Sequence, residues 1–176
     1  MLALGTGTTL LVRDGVIPLA LDRPAIATFG LEVALYVLLF DAYFYALHRL
    51  LHRRFLFRHI HAVHHRSRAP TIATALAFHP VEAVLVLGFM PVAMWLVPIH
   101  LASLVAVTVF LGGSILLAHS GWEVFPASWE RTRLLGWYVT PRVHDAHHRR
   151  RDCNFSATLS VFDRAFRTAA VNARRS

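Results

Sequence analysis

The sequence predicts an all-α integral membrane protein with about three transmembrane helices and a histidine-rich helical cap. Three observations carry this prediction. The chain of 176 residues is 56% hydrophobic, with a mean hydropathy of +0.49, which is more apolar than an ordinary soluble domain. It contains three apolar segments long enough to cross a bilayer, which takes about 20 residues. Its histidines recur with a fixed spacing beside those segments.

The apolar segments set the order of the predicted helices. They cover residues 25–47, 80–97 and 101–118. Because only residues 98–100 separate the second segment from the third, these two are predicted to form a helical hairpin. Residues 1–24 are a weakly defined N-terminal segment, in which residues 1–20 are predicted to form a partial or interfacial helix. The segment shows no signal-peptide pattern. The whole chain, 1–176, is predicted to be a single domain.

The arginines predict the orientation in the membrane. All 18 basic residues are arginines, six of them within residues 49–68 and ten within 131–175. Basic residues accumulate in cytoplasmic loops, so both regions are predicted to face the cytoplasm. The protein is therefore predicted to be a multi-pass protein of the cell membrane, with its histidine cap on the cytoplasmic side. The arginines flank apolar segments and form no stripe on a soluble fold, so a net charge of +8 does not predict nucleic-acid binding.

Eight histidines form three motifs that point to a metal centre. The motifs are His48-x-x-x-His52, His61-x-x-His64-His65 and His144-x-x-His147-His148. Residues three or four apart share a helix face, so each motif can present two or three imidazoles together. Adjacent histidines diverge by about 100° around a helix, which favours two neighbouring metal sites over one. Imidazole suits Fe, Zn, Cu and Ni, so these residues alone do not select the metal.

Two further histidines are candidate ligands. His119 ends the third apolar segment and faces the predicted cap, which favours a ligand role. His79 begins the motif His79-Pro80-x-Glu82, where the ordinary preferences of a helix N-terminus explain the residues as well as metal binding does. His100 matches no motif and is predicted to be a surface residue at the hairpin tip.

Carboxylates near the motifs are candidates for orienting the ligands. Asp41 shares one stripe of the first predicted helix with His48, where it either accepts a hydrogen bond from a ligand imidazole or extends towards the membrane interface. Asp145 lies inside the last motif and has the same two interpretations. The single Cys153 excludes an internal disulfide and a cysteine-based zinc site.

The ordered motifs resemble those of the fatty acid hydroxylase/sterol desaturase superfamily, and the resemblance covers residues 38–168. The matching motifs are Asp41-x-x-Phe44-Tyr45-x-x-His48-Arg49-x-x-His52, His61-x-x-His64-His65, His79-Pro80-x-Glu82, His119-Ser120-Gly121, His144-Asp145-x-His147-His148, Asn154-Phe155 and Phe162-Asp163-Arg164-x-Phe166-x-Thr168. This chain has three predicted spans where members of the superfamily commonly have four. It also carries Ser156 and Arg167 where glycine is common.

The resemblance implies a membrane-bound oxygenase with two Fe ions, or Zn in a recombinant structure. Such an enzyme hydroxylates or desaturates a lipid, sterol or other apolar substrate with O₂ and electrons from a separate donor, of the ferredoxin or cytochrome b5 type. The ligands implied by the motifs are His48, His52, His61, His64, His65, His119, His144, His147 and His148, with His79 a weaker candidate. The implied supporting residues are Asp41, Glu82, Asp145 and Asn154.

The residues alone leave two other functions open. A zinc-dependent membrane hydrolase would use the same imidazoles together with a carboxylate base such as Glu123 or Glu82. A non-catalytic metal-binding membrane protein is the second alternative, although the hairpin has few polar residues for an ion path. The run Arg149-Arg150-Arg151 is interpreted either as a docking surface for an acidic electron donor or as a contact with anionic lipid headgroups.

Overall fold

The computed structural model describes residues 2–67, 70–126, 128–129, 132 and 135–170. Its α-helices are α1 (Leu2–Arg13), α2 (Ile26–Leu51), α3 (Arg54–His59), α4 (Pro80–Leu96), α5 (Leu101–Ala118), α6 (Pro141–Arg150) and α7 (Val161–Ala165). Short 3-10 helices cover His61–Arg66, Ile72–Thr74 and Leu135–Trp137, and strands β1 and β2 cover Leu19–Ala20 and Ile99–His100. The predicted predominance of helix is confirmed. Five arginines used to predict orientation lie outside the described residues: Arg68, Arg131, Arg133, Arg174 and Arg175.

Among the described residues, two helices are long and apolar enough to cross a membrane. They are α2, with 26 residues, and α5, with 18 residues. The second predicted span forms α4 at the predicted place, but this apolar helix has only 17 residues and contains Pro91. The count of three spans and the cytoplasmic position of the cap stay predictions.

The chain divides into two compact units. The first comprises residues 1–40 and 80–111, and the second comprises residues 41–79 and 112–176. Each of the two candidate spans begins in the first unit and ends in the second. That residues 1–176 form a single domain stays a prediction.

The first unit exposes large apolar side chains on its helices. Leu31 of α2 and Val105 and Val109 of α5 are each more than half exposed. Extended apolar surface of this kind marks contact with lipid or with another protein. The unit also contains a short parallel pairing of β1 with β2, in which Leu19 lies opposite Ile99. The sequence did not predict this pairing, because two residues are too few to show a strand pattern.

The hairpin tip in the first unit holds a partly buried polar pair. The ring of His100 donates from Nδ1 to the Glu32 carboxylate at 2.7 Å, and the His100 backbone N–H donates to the same carboxylate at 3.3 Å. The His100 side chain is only 20% exposed. His100 is therefore only partly exposed, since it pairs with a carboxylate on α2, whereas the sequence predicted a surface residue.

In the second unit, Asp41 ties α2 to the C-terminal part of the chain. Its fully buried carboxylate accepts hydrogen bonds from the backbone N–H and the hydroxyl of Thr158, at 2.9 and 2.7 Å, and from the backbone N–H of Leu159 at 2.8 Å. These partners are not the ligand imidazole that the sequence suggests. Asp41 thereby fixes the chain around residue 158. This position lies a few residues after the backbone carbonyls of Cys153 and Phe155, which accept hydrogen bonds from His147 and His48.

Candidate metal centre

The described residues contain two groups of histidines whose ring nitrogens converge. Within each group, the possible ligand atoms all lie within 4.8 Å of one another. The five-histidine group consists of His48, His52, His61, His65 and His147, and the four-histidine group consists of His64, His119, His144 and His148. The structure thus brings nine of the ten candidate ligands together. His79 is in neither group, and its role as a ligand stays a prediction.

The local backbone separates adjacent histidines into different groups. His64 and His65 lie on the 3-10 helix His61–Arg66, and each belongs to a different group. His147 and His148 on α6 divide in the same way. The divergence expected from the motif spacing is therefore present, although the second motif forms a 3-10 helix instead of an α-helix.

The remaining ligand positions lie at the ends of the long apolar helices. His48 is in the last turn of α2, and His52 follows its end at Leu51. His119 directly follows Ala118, the last residue of α5. Three imidazoles of the second unit, those of His48, His52 and His119, therefore lie at the ends of the two candidate spans.

The sequence around α6 contains the signals that start and stop this helix. Thr140 is the N-cap, and its hydroxyl accepts a hydrogen bond from the backbone N–H of Val143 at 3.3 Å. Pro141 occupies the first turn, where its missing N–H costs nothing. Arg151 ends the helix in the left-handed conformation, with φ 64°. These signals fix α6, which carries three of the nine grouped histidines.

Backbone carbonyls determine the tautomer of four imidazoles. The Nδ1–H groups donate from His48 to Phe155 at 2.8 Å, from His147 to Cys153 at 2.7 Å, from His119 to Ile115 at 2.8 Å and from His148 to Ser67 at 3.1 Å. A carbonyl oxygen only accepts, so Nδ1 carries the proton in each ring. The Nε2 atom of each neutral ring then holds a free lone pair, which points into the group.

The spacing of the Nε2 atoms fits a bound cation. The distances are 3.1 Å for His48–His61 and His147–His65, 3.2 Å for His65–His52, 3.0 Å for His144–His119, 3.1 Å for His148–His144 and 3.4 Å for His119–His64. The lone pairs of His119 and His148 both face Nε2 of His144, where a single ring proton can satisfy only one of them. Metal–nitrogen bonds of about 2.0–2.1 Å place neighbouring ligand nitrogens about 3.0–3.4 Å apart. The nine residues therefore fit two metal ions.

Burial keeps these imidazoles neutral, which is the form that binds metal. Burial, reinforced by repulsion among neighbouring imidazoles, lowers the pKa of His52 and of His61 to about 2 and that of His148 to about 3. Burial also lowers the pKa of His147, to about 4, although its hydrogen bond to the Cys153 carbonyl opposes the shift. At neutral pH these four rings offer uncharged lone pairs.

Asp163 holds the segment that contacts the five-histidine group. Its buried carboxylate accepts from the backbone N–H groups of Phe155 and Ser156, both at 2.8 Å, and from the hydroxyl of Thr168 at 2.7 Å. The carbonyl of Phe155 in turn accepts from His48. The sequence alone did not predict this role for Asp163. Its place in the closing motif was the signal that could have indicated it.

Asn154 supports the same segment through its backbone neighbours. It adopts the left-handed conformation, with φ 56°. Its side-chain amide donates to the carbonyl of Val143 at 3.1 Å and accepts from the backbone N–H of Ala170 at 2.8 Å. Asn154 lies between Cys153 and Phe155, whose carbonyls orient two ligand rings. A supporting role for Asn154 is consistent with this placement and stays a prediction.

The remaining candidates have other surroundings. Glu82 is buried in α4 of the first unit, and its supporting role stays a prediction.

The arginine run Arg149-Arg150-Arg151 has partners within the second unit. These partners are Asp145 for Arg149, Asp152 at 3.5 Å for Arg150, and the ring of Phe57, 5.1 Å from the guanidinium carbon, for Arg151. The ion pair of Asp145 is thus with an arginine and not with a ligand imidazole.

Comparison with known proteins gives one consistent result. The family model for fatty acid hydroxylase matches residues 33–168. A Dictyostelium discoideum protein assigned as a methylsterol monooxygenase is 34% identical over 149 residues, which is 83% of this chain and 53% of that protein. A very-long-chain aldehyde decarbonylase of Oryza sativa subsp. indica is 36% identical over 141 residues, covering 78% of this chain and 51% of the relative.

A third relative extends the match to fungi. The C-4 methylsterol oxidase of Schizosaccharomyces pombe is 32% identical over 166 residues, covering 82% of this chain and 54% of the relative. The chain therefore spans about half the length of the curated relatives it matches. No solved structure matches it. These matches confirm the resemblance carried by the ordered motifs.

Proposed function

Since the chain belongs to the fatty acid hydroxylase family, we propose that it is a membrane-bound oxygenase with two iron ions. It hydroxylates or desaturates a lipid, a sterol or another apolar molecule with O₂, and it takes electrons from a separate donor of the ferredoxin or cytochrome b5 type. The convergence of nine histidines in two groups carries this proposal. The names of the relatives, which refer to methylsterols and very-long-chain aldehydes, support an apolar substrate.

Each histidine group would hold one ion. When bound, iron supplies the redox chemistry that reduces O₂ and allows a C–H bond of the substrate to be oxidised. The chain's own residues have simpler tasks. The imidazoles supply neutral nitrogen ligands, and the carbonyls of Cys153, Phe155, Ile115 and Ser67 hold four of the rings in position. Burial excludes the water and protons that would compete for the nitrogens.

The membrane setting follows from the helices. α2 and α5 are apolar and long enough to span, and their outward-facing apolar side chains suit a lipid environment. In this proposal α4 is a third span, the protein is a multi-pass protein of the cell membrane, and the metal centre faces the cytoplasm. An apolar substrate then reaches the enzyme from within the bilayer, and nucleic acid is not a partner.

The contacts of Glu123 argue against its use as the base of a zinc hydrolase. A hydrolase needs a carboxylate that is free to accept a proton from water. Glu123 instead accepts from the backbone N–H groups of Phe125 at 2.9 Å and Arg142 at 3.0 Å. It also lies 3.5 Å from the guanidinium of Arg142. This carboxylate is therefore already engaged by two backbone N–H groups and a guanidinium.

Anaerobic purification followed by elemental analysis and oxygen-uptake measurements tests the proposal. We expect two iron ions per chain, and oxygen consumption when the reduced protein meets a methylsterol, a fatty acid or a long-chain aldehyde. The same protein loaded with zinc is the matched control and is expected to consume no oxygen. Turnover that continues without oxygen would contradict the proposal, as would intact protein that binds no iron under reducing conditions.

A further inference from the structure

The exposed face of α3 forms a small cationic recess outside the metal centre. The recess has a volume of about 260 Å³ and is lined by Arg54, Phe55, Arg58 and His59, all of them exposed. The Phe55 and His59 rings lie 4.5 Å apart, and the His59 Nδ1–H donates to the Phe55 carbonyl at 2.8 Å. We call these four residues the α3 recess.

The opposite side of the same helix contacts the histidines. The ring of Phe57 lies 5.4 Å from the rings of His52 and His65 and 6.0 Å from that of His61. Phe57 therefore covers the five-histidine group, whereas the α3 recess opens to the surroundings. The recess is a separate feature and needs its own explanation.

The positive charge of the α3 recess has no acidic partner among the described residues. No described carboxylate forms an ion pair with Arg54 or Arg58, in contrast to Arg149 and Arg150, which are paired with Asp145 and Asp152. Phe55 adds an aromatic ring that is 71% exposed. Two guanidinium groups that have no ion-pair partner in the described part of the chain lie beside an exposed aromatic ring. Such a surface suits an anion with an apolar extension.

We propose that the α3 recess binds the headgroup of an anionic glycerophospholipid. α3 begins three residues after the end of α2 at Leu51, so it lies next to a candidate span, where headgroups are found. Arginine binds phosphate through paired hydrogen bonds, and an aromatic side chain suits the boundary between headgroup and acyl chain. A docked protein typically covers about 800 Å² per partner, whereas a four-residue recess matches one headgroup.

Native mass spectrometry of the detergent-purified protein, with equal amounts of phosphatidylglycerol and phosphatidylcholine, tests this proposal. Wild type is expected to retain phosphatidylglycerol preferentially. The double variant Arg54→Gln/Arg58→Gln should bind it about thirty-fold more weakly, since each basic residue contributes to binding at an anionic surface. The pair Arg13→Gln/Arg23→Gln is the matched control. It removes the same charge elsewhere and should bind phosphatidylglycerol like wild type.

A second variant separates binding from folding. Arg54→Lys/Arg58→Lys keeps the charge and is expected to retain most of the preference, while both double variants should keep the iron content of the wild type. Unchanged phosphatidylglycerol retention in the glutamine variant would overturn the proposal. Full displacement of the lipid by inorganic phosphate would also overturn it and assign the recess to a soluble anion. A glutamine variant that retains the lipid but binds an acidic ferredoxin more weakly than wild type would overturn the proposal as well. That result would identify the recess as a protein-docking surface.

Discussion

The two histidine groups use the same ligand chemistry, but different parts of the chain support them. In the five-histidine group, the rings of His48 and His147 donate to Phe155 and Cys153, which lie together just after α6. In the four-histidine group, the rings of His119 and His148 donate to Ile115, in the preceding turn of α5, and to Ser67. The C-terminal motifs, which contain no histidine, therefore act chiefly on one of the two sites.

Removing one histidine from either group tests most directly whether the two groups are separate metal sites. We expect His147→Ala and His144→Ala each to lose one of the two proposed iron ions. We also expect turnover to fall by more than about 100-fold, since loss even of a residue that supports a ligand costs about 10–100-fold. Iron per chain and oxygen uptake are the measurements. His59→Ala, which changes a histidine in neither group, should keep both ions. Two ions in every variant would show that the groups are not the ligands.

Acid should weaken both groups together. In the metal-free protein, His52, His61, His147 and His148 have folded-state pKa values of about 2 to 4, below the unfolded value near 6.5. The unfolded chain then binds more protons, so stability is full above pH 6.5 and decreases as the pH falls. At pH 5.5 each such histidine costs about 1.4 kcal/mol. A melting temperature of the metal-free protein that stays constant from pH 7.5 to pH 5.5 would contradict this expectation.

Asp163→Asn should separate the two groups. The amide places an N–H group beside the backbone donors of Phe155 and Ser156, which the carboxylate satisfies in the wild type. We expect the five-histidine group to bind its ion about 10–100-fold more weakly and the four-histidine group to change little. Competition with a chelator, followed by counting of the retained iron, measures this difference. Asp145→Asn, which breaks a partly exposed ion pair with Arg149, is the control and should leave both affinities unchanged.

A side chain at Gly121, two residues after His119 of the four-histidine group, should destabilise the protein. Gly121 has φ 75°, and a Cβ atom there would lie 3.0 Å from the carbonyl oxygen of Pro70. Gly121→Ala is therefore expected to destabilise the protein by about 2 kcal/mol. Gly30→Ala is the matched control, because its Cβ would meet no atom within 4 Å. Equal unfolding midpoints of the two variants would show that the turn after α5 tolerates a side chain.

The smallest expected effect is a gain in stability that leaves both groups unchanged. Arg167 has φ 57°, a conformation that glycine adopts without strain. Arg167→Gly should therefore stabilise the protein by about 1 kcal/mol. Thermal unfolding measures the gain, and iron content should match the wild type. A lower melting temperature would indicate that the arginine side chain contributes more than its backbone conformation costs.

The sequence predicted those features that depend on local patterns. The length and apolar composition of residues 101–118 predicted α5 with the bounds that the structure shows. The spacing within the histidine motifs predicted that adjacent imidazoles diverge. The position of His119 at the end of the third apolar segment favoured a ligand role, and the family resemblance agreed with it.

Features that depend on tertiary contacts were beyond the sequence. No local pattern shows that Asp41 contacts Thr158, or that His100 pairs with Glu32 across many intervening residues. The partners of Asp145 and of the neighbouring arginines likewise depend on how α6 packs. Asp163 was visible within a motif, but its hydrogen bonds to the Phe155 segment appear only when the chain folds back on itself.

The hydrogen bonds from imidazole Nδ1 to backbone carbonyls have a consequence for how the protein acquires its ions. They are made by the chain's own backbone, so we expect folding to contribute to the ordering of these four side chains. We therefore expect metal loading to leave most of the backbone in place.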